Sequence, residues 1–526
     1  MSEFIFTSFL FTLYAEIHSK LPPIPNILNN NIPEIISDTP VRINPGEKIP
    51  VLVIVKDSHL YPIELSGIDV EIFKEEEKLQ SLKLIDEKIK INQKFWYKVF
   101  YITPELKGLI ELDVIFSIKS RDKAYRYRNN SYKFIKKHRL KVCLSDEELP
   151  DSGRIIYGDL HYHSDYTDDV VEFGAPVDAA VAMAKASGLS FFAVTDHSYD
   201  LDDSRDDSHK NDSSLPKWEN LQDEIKSGTF ENVTVIPGIE VSAGNQKGRN
   251  VHLLVLNPGK FYSGSGDSAD VWLKNKPDNF IVNILKETGD SELTIAAHPF
   301  EKRPFLERLF LRRGTWEYND IKLEKISGLQ ILNGKEGKIV KESIRKWTDF
   351  LLKGEKKYIY AGNDAHGNFN NLIKLKLPYV LLGQKSEHIF GKMKTGIYAD
   401  VLPDKNGIIE KLKQGKCFVT TGPSIYTCLY NRDEKYLPGD KTDNNNLKLY
   451  FDIKSIKDFG ELKSVSIIIG DLMQQKEIKH DIGIIGFNYL YDEKLPFSSL
   501  PDKFYLRISC KTESAFALSN PIWVGY

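Results

Sequence analysis

Short apolar runs in the middle of this chain end, one after another, on histidines and carboxylates, and that recurrence narrows the folds open to it. Phe191 to Val194 leads into Thr195-Asp196-His197, and Val233 to Ile236 into Pro237-Gly238-Ile239-Glu240. Leu293 to Ala297 leads into His298-Pro299, and Tyr358 to Ala361 into Gly362-Asn363-Asp364-Ala365-His366. Gly328 to Leu332 reads as a further strand. Helical segments lie between these runs. Pro176 to Ser187 has proline in its first turn, an alanine-rich interior and Gly188 as a C-cap. Phe280 to Lys286 and Glu336 to Lys353 also read as helices. Strands alternating with helices predict an α/β fold with a parallel sheet or a barrel. In a βα barrel the carboxyl ends of the strands share one face, so side chains far apart in sequence converge there.

Ile155 to Leu160 leads into His161-Tyr162-His163, with Asp168 just beyond. On a strand, residues i and i+2 point to the same face, so two imidazoles leave one surface together. Imidazole and carboxylate suit zinc, manganese, iron or nickel. His252 starts the run Leu253 to Leu256 instead of ending one, which fits a strand running the other way. Of the twelve histidines, His161, His163, His197, His252, His298 and His366 lie in these motifs. His18, His59, His138, His209, His388 and His480 lack such a setting. Gly238 and Gly362 are read as letting the backbone turn at strand ends. Asp196 is read as orienting a ligand or capping a helix. Ser164 is read as a turn residue or one that supports a ligand from behind, and not as a nucleophile, because no free base is left to activate it.

The flanks have a different texture. A chain of 526 residues exceeds one ordinary core, so about two to four domains are expected. Residues 1–150 show short alternating runs, Val51 to Val55, Trp96 to Ile102 and Leu109 to Ile118, which predict a β-sandwich-like domain. Residues 426–526 repeat that texture in Leu447 to Ile453, Ser464 to Ile469 and Phe504 to Ile508. The middle region is bounded at 151–425. Asp200 to Ser214 and Gly259 to Asp270 read as exposed polar loops. A net charge of −3 and the lack of a long basic run indicate no dedicated nucleic-acid or anionic-membrane surface. Cys143, Cys417, Cys428 and Cys510 form no Cys-x-x-Cys pair and read as free thiols of a reducing, cytoplasmic compartment. The apolar run Phe4 to Ala15 is shorter than the ~20 residues of a spanning helix, and no Lys or Arg precedes it as in an export signal.

The order His-x-His…Asp, Thr-Asp-His, Gly-Ile-Glu…His, His-Pro and Asp-x-His resembles the PHP (polymerase and histidinol phosphatase) superfamily of metal-dependent hydrolases. The resemblance covers the middle region, and it implies a distorted (β/α)7 barrel with two or three divalent metals, Zn2+, Mn2+ or Fe2+. All nine ligand positions of that pattern are filled, by His161, His163, Asp168, His197, Glu240, His252, His298, Asp364 and His366. The implied grouping gives His161, His163, Glu240 and Asp364 to one metal. Glu240, His252 and His298 would hold a second, and Asp168, His197 and His366 a third. The flanking β domains and the run Asn363 to Asn370 resemble a large multidomain subgroup that includes proteins named for carbamate-ester hydrolysis. Asn363 stands where many relatives have Ser.

Such a cluster suits hydrolysis, since a metal lowers the pKa of bound water from about 15.7 towards 7. A phosphoesterase acting on a small phosphorylated molecule is the expected activity, because phosphate oxygens can bridge several metals. Glu240, as the bridging ligand, with His163 and Asp364, would serve catalysis by holding the metal-activated hydroxide. Arg249, Lys302, Arg303 and Asn333 are candidates for contacting the substrate. A carboxylic or carbamate ester hydrolase using the same site, and a metal-binding module without turnover, are the alternatives. Oligomeric state has no signal in the sequence.

Overall fold

The computed structural model describes residues 32–525. Residues 133–136, 169–172, 206, 208–209, 267–273, 303–307, 309–311, 371–386, 444–446 and 497–498 fall outside that description. The run Phe4 to Ala15 and the histidines His18 and His209 therefore lie outside the described residues.

The N-terminal region is a sandwich of two sheets. Glu34–Asp38, Ile49–Lys56 and Phe95–Ile102 form one, and the long antiparallel pair Ile63–Lys74 and Gly108–Ser120 anchors the other. Side chains alternate between faces along a strand. Val51, Val53 and Val55 accordingly enter the sandwich core with Val70, Ile72, Val114 and Phe116. Leu52 and Ile54, on the other face, join the core of the middle region. One strand therefore serves two cores and ties the sandwich to the part of the chain that carries the histidines.

The middle region is built on strands in the order Tyr358–Gly362, Gly328–Asn333, Leu293–Ala296, Asn250–Leu256, Thr234–Gly244, Phe191–Val194, Ile155–His163. Neighbours are parallel except around Asn250–Leu256, which is antiparallel to both of its neighbours. Past Gly362, Ala365–His366 pairs in parallel with Tyr162 and His163. The other side of Ile155–His163 continues, antiparallel, through Lys394–Tyr398, Cys417–Thr420 and Phe516–Ser519 into Phe504–Thr512, Leu462–Asp471 and Lys476–Gly486. A four-stranded sheet, Lys435–Tyr436, Ser424–Tyr430, Lys448–Lys454 and Asn488–Lys494, forms the second layer of the C-terminal region.

This architecture corrects the expected α/β fold with its distorted (β/α)7 barrel. Strands take 44% of the chain and helices 15%. One sheet of 16 strands runs from the middle region into the tail instead of forming seven strand–helix units. The reasons are local. Thr234–Gly244 and Asn250–Leu256 are joined by only residues 245–249, which leaves no room for a covering helix. Ser198–Leu201, Tyr318–Lys322 and Ile281–Glu287 have 4, 5 and 7 residues, too short to cover a strand as a barrel helix does. The two flanks do have the predicted β-sandwich texture. The stretch Asp200 to Ser214 is less exposed than expected, since Asp200 and Leu201 lie in a buried helical turn and Asp203 is buried. No helix among the described residues is long and apolar enough to cross a membrane.

Candidate metal centre

Ile155–His163 is buried along its whole length, and it holds His161 and His163 out of solvent. Main-chain bonds gather the other candidates round it. Asp364 N–H donates to the His161 carbonyl at 2.8 Å, Thr195 N–H to the Tyr162 carbonyl at 2.7 Å, and Glu240 N–H to the Asp196 carbonyl at 3.0 Å. Sheet pairing sets His252 opposite Ser242, one pleat from Glu240. His298 and Asp364 have φ of +30° and +53°. Left-handed backbone at non-glycine residues costs of order 1–3 kcal/mol and gathers at functional sites.

Four side chains make the tightest group: His161, His163, Glu240 and Asp364, all buried. His161 Nε2 lies 3.1 Å from His163 Nε2, 3.2 Å from Glu240 Oε2 and 3.4 Å from Asp364 Oδ1. His163 Nε2 lies 3.2 Å from each of the same two oxygens. A tetrahedron with the ~2.0–2.1 Å arms of a zinc site has edges of roughly 3.3 Å. Five of the group's six edges are therefore the size that one divalent cation imposes. Two imidazole nitrogens at 3.1 Å can share one proton at most, or point both lone pairs at a cation. The donor set fits such an ion.

The two oxygens of Glu240 face different imidazoles. Oε2 meets His161 and His163, and also His197 at 3.1 Å. Oε1 meets His252 at 2.8 Å and His298 at 3.3 Å. His197, Glu240 and His252 form a second possible ligand group, and His163, His197 and His366 a third. The His163 and His366 rings stack with centroids 4.0 Å apart. Eight of the nine candidate ligands are thus brought together.

Asp168 is not among them. The resemblance set it beside His197 and His366, but its carboxylate is held by two cations of the N-terminal sandwich, Lys56 at 3.3 Å and Lys94 at 2.7 Å. The Lys56 ammonium also lies 4.4 Å from the centre of the Phe173 ring. Burial pushes the Asp168 carboxyl up, but Lys56 and Lys94 outweigh it and hold it well below the carboxylate range.

Burial likewise opposes charge on His161 and His163, yet Glu240 and Asp364 prevail and raise both imidazoles above their ordinary value. Burial raises Glu240 and Asp364 in turn, and the surrounding histidines override it and lower both well below theirs. The pocket's field thus calls for positive charge, from protons or from a metal.

An outer layer supports these groups. Asp159 accepts from the main-chain N–H of His161, Asn363 and Gly391 and from Asn363 Nδ2, and burial pushes its carboxyl up to about 6. Asp196, read as orienting a ligand or capping a helix, accepts from Ser164 N–H and Oγ–H and from the Thr167 hydroxyl, and so orients the turn after His163. His388, read as lacking a setting, lies with Nδ1 3.9 Å from Asp364 Oδ2. Gln330, which the motifs did not single out, sits 3.0 Å from His161 Nδ1. Its sequence signal was a lone amide in the apolar run Leu329 to Leu332.

The substrate candidates separate. Asn333 borders the site: it bonds Gln330 and Asp364, and it lines a small cleft with His298, Glu301, Gln330 and Lys335. Arg249 donates instead to the Arg308 carbonyl at 2.8 Å, and Lys302 is exposed. Arg303 lies outside the described residues.

No family model matches the chain, and no curated protein does. Among solved structures it is similar to a β-glucuronidase of glycoside hydrolase family 2, at 10% identity and a TM-score of 0.17, covering 92% of this chain and 49% of that one. A β-glucuronidase of Parabacteroides merdae aligns at 9% identity and a TM-score of 0.20, over 94% and 66% of the two chains. A putative β-galactosidase of Bacteroides fragilis aligns at 10% identity and a TM-score of 0.18, over 94% and 74%. The chain spans about half the length of the first and under two thirds of the second. Overlaps of this quality carry no argument about fold or activity.

Proposed function

We propose that this protein is a metal-dependent hydrolase, and that it cleaves phosphate esters of small molecules. The observation that carries the reading is the buried group His161, His163, Glu240 and Asp364, with its edges of 3.1–3.4 Å. The resemblance of the motif order to the PHP superfamily supports the same chemistry. His161, His163, Glu240 and Asp364 would hold one divalent ion, and Glu240 would share its second oxygen with His252 and His298. Bound ions would supply Lewis acidity and water that ionises near neutral pH. The chain's own groups do the rest. Glu240 sets the spacing between the two imidazole sets. Burial keeps bulk water from competing for the site, and the Lys335–Glu301 ion pair lies at the cleft beside His298. A substrate with several anionic oxygens matches a centre with several cation positions, which favours a phosphate ester over a carboxylic ester.

The test is turnover by chain loaded with Mn2+ or Zn2+, its metal content measured by elemental analysis. The substrates are p-nitrophenyl phosphate, its bis-ester and a p-nitrophenyl carboxylate. Phosphate-ester turnover that disappears in Glu240→Gln supports the proposal. Turnover of the carboxylate alone selects the ester-hydrolase alternative. Bound metal without turnover of any of the three selects the binding module.

A further inference from the structure

We propose that Gln330 and Asn333 form a positioning relay that fixes the tautomer of His161; the inference rests on the metal-centre reading just given. Three hydrogen bonds join in a chain. His161 Nδ1 lies 3.0 Å from Gln330 Oε1, Gln330 Nε2 lies 2.6 Å from Asn333 Oδ1, and Asn333 Nδ2 lies 3.4 Å from Asp364 Oδ2. The polarity of this chain is set from one end. An ionised carboxylate only accepts, so Asn333 must turn its NH2 to Asp364. That leaves the Asn333 carbonyl to accept from the Gln330 NH2. Gln330 must then present its own carbonyl to His161, and a carbonyl can meet Nδ1 only if Nδ1 bears the proton. The Nε2 lone pair is thereby directed at His163, Glu240 and Asp364, where a cation would sit. Each amide orientation follows from hydrogen-bond logic.

The setting favours this role over packing alone. Gln330 is 2% exposed and lies on the strand Gly328–Asn333 between apolar neighbours, where an unpaired amide would be costly. The relay also braces two ligands from different elements. His161 belongs to Ile155–His163, and Asp364 follows Tyr358–Gly362, the strand next to Gly328–Asn333. Fixing the orientation and tautomer of a ligating imidazole from behind is worth roughly 10- to 100-fold in metal affinity. Asn333 therefore acts in the relay through Gln330 and Asp364, a role separate from the substrate contact expected of it.

Zn2+ affinity, measured by competition with a chromogenic chelator, tests the relay without recourse to turnover. Circular dichroism and Tm of each variant, taken without metal, report folding. Gln330→Glu keeps an acceptor for His161, whereas Gln330→Met keeps the volume and removes the acceptor. The relay predicts Zn2+ binding weakened roughly 10- to 100-fold in Gln330→Met and by clearly less in Gln330→Glu. Asn333→Leu, which cuts the chain one residue further out, should also weaken binding. Wild-type affinity in Gln330→Met, or tighter binding in Gln330→Met than in Gln330→Glu, overturns the relay while leaving the metal centre intact. If Gln330→Met fails to fold, wild-type affinity in Asn333→Leu overturns it equally. Absence of Zn2+ and Mn2+ binding by the wild-type chain overturns the metal reading itself.

Discussion

Two carboxylates show how neighbours, and not residue type, decide a role. Glu240 has imidazoles on both oxygens, so losing one charge disturbs both sets at once. Glu240→Gln should lower the metal content of the purified protein and reduce kcat by at least about 100-fold, the scale of losing one preorganised electrostatic contact. Unchanged metal content would sink the bridging role. Asp168 has lysines instead, and Lys56 is buried, its side chain 4% exposed. Asp168→Asn removes the carboxylate from a largely buried pair and should cost about 2 kcal/mol, somewhat below the range for a fully buried pair. Its metal content should stay at the wild-type value. Because the folded-state pKa of Asp168 is depressed, its contribution is present above the unfolded value of about 3.9 and is lost as pH falls through the folded one. The stability gap between wild type and Asp168→Asn, followed by urea unfolding, should therefore shrink on acidification. A variant that keeps its stability but loses a metal would return Asp168 to the ligand set.

Among the elements, the close approach of Tyr358–Gly362 to Ile155–His163 controls the site most directly. Gly362 was read as a turning residue, but it is not among the residues with left-handed backbone. A Cβ there would lie 2.6 Å from His161 Cβ and 2.7 Å from His161 N. The glycine is needed for proximity. Gly362→Ala must push the strands apart, at a cost of about 1–3 kcal/mol as for other overpacking. It should move His161 as well, so Zn2+ affinity should fall together with Tm; a loss of Tm with unchanged affinity would show that the strain relaxes elsewhere. Elements of this kind were largely legible. The helix Val177–Ser187 ends on Gly188 at φ +84°, as the alanine run and the glycine predict. The strands Phe191–Val194, Leu293–Ala296 and Tyr358–Gly362 lie where the apolar runs stand. Lys476–Gly486 and Asn488–Lys494 were missed, because exposed strands interleave charges with few apolar residues and leave a weak period-two signal.

At the scale of the molecule, periodicity identified elements but not their partners. Nothing local in Ile155–His163 says that its other neighbour is Lys394–Tyr398, or that the sheet runs on to Lys476–Gly486; the alternating rhythm left a parallel sheet and a barrel both open, and the closed barrel implied by the resemblance does not hold. The site was more legible than the fold, since imidazoles at strand ends are visible in sequence, while Lys56 and Lys94 come from a domain with no motif at all. The assembled charge pattern makes one prediction for the whole protein. Without metal, His161 and His163 have raised pKa values because Glu240 and Asp364 favour their protonated forms. That stabilisation is fully present below the unfolded value of about 6.5 and is lost as pH rises through the folded values. A metal must displace those protons, so it competes poorly at low pH and well at high pH. Both effects have the same sign: raising pH weakens the metal-free protein and strengthens metal binding. The rise in Tm on adding Zn2+ to chelator-treated protein should therefore be several degrees larger at pH 8 than at pH 6, by scanning calorimetry. An equal rise at both pH values would show that the ion binds away from these imidazoles, and a larger rise at pH 6 would contradict the charge pattern itself.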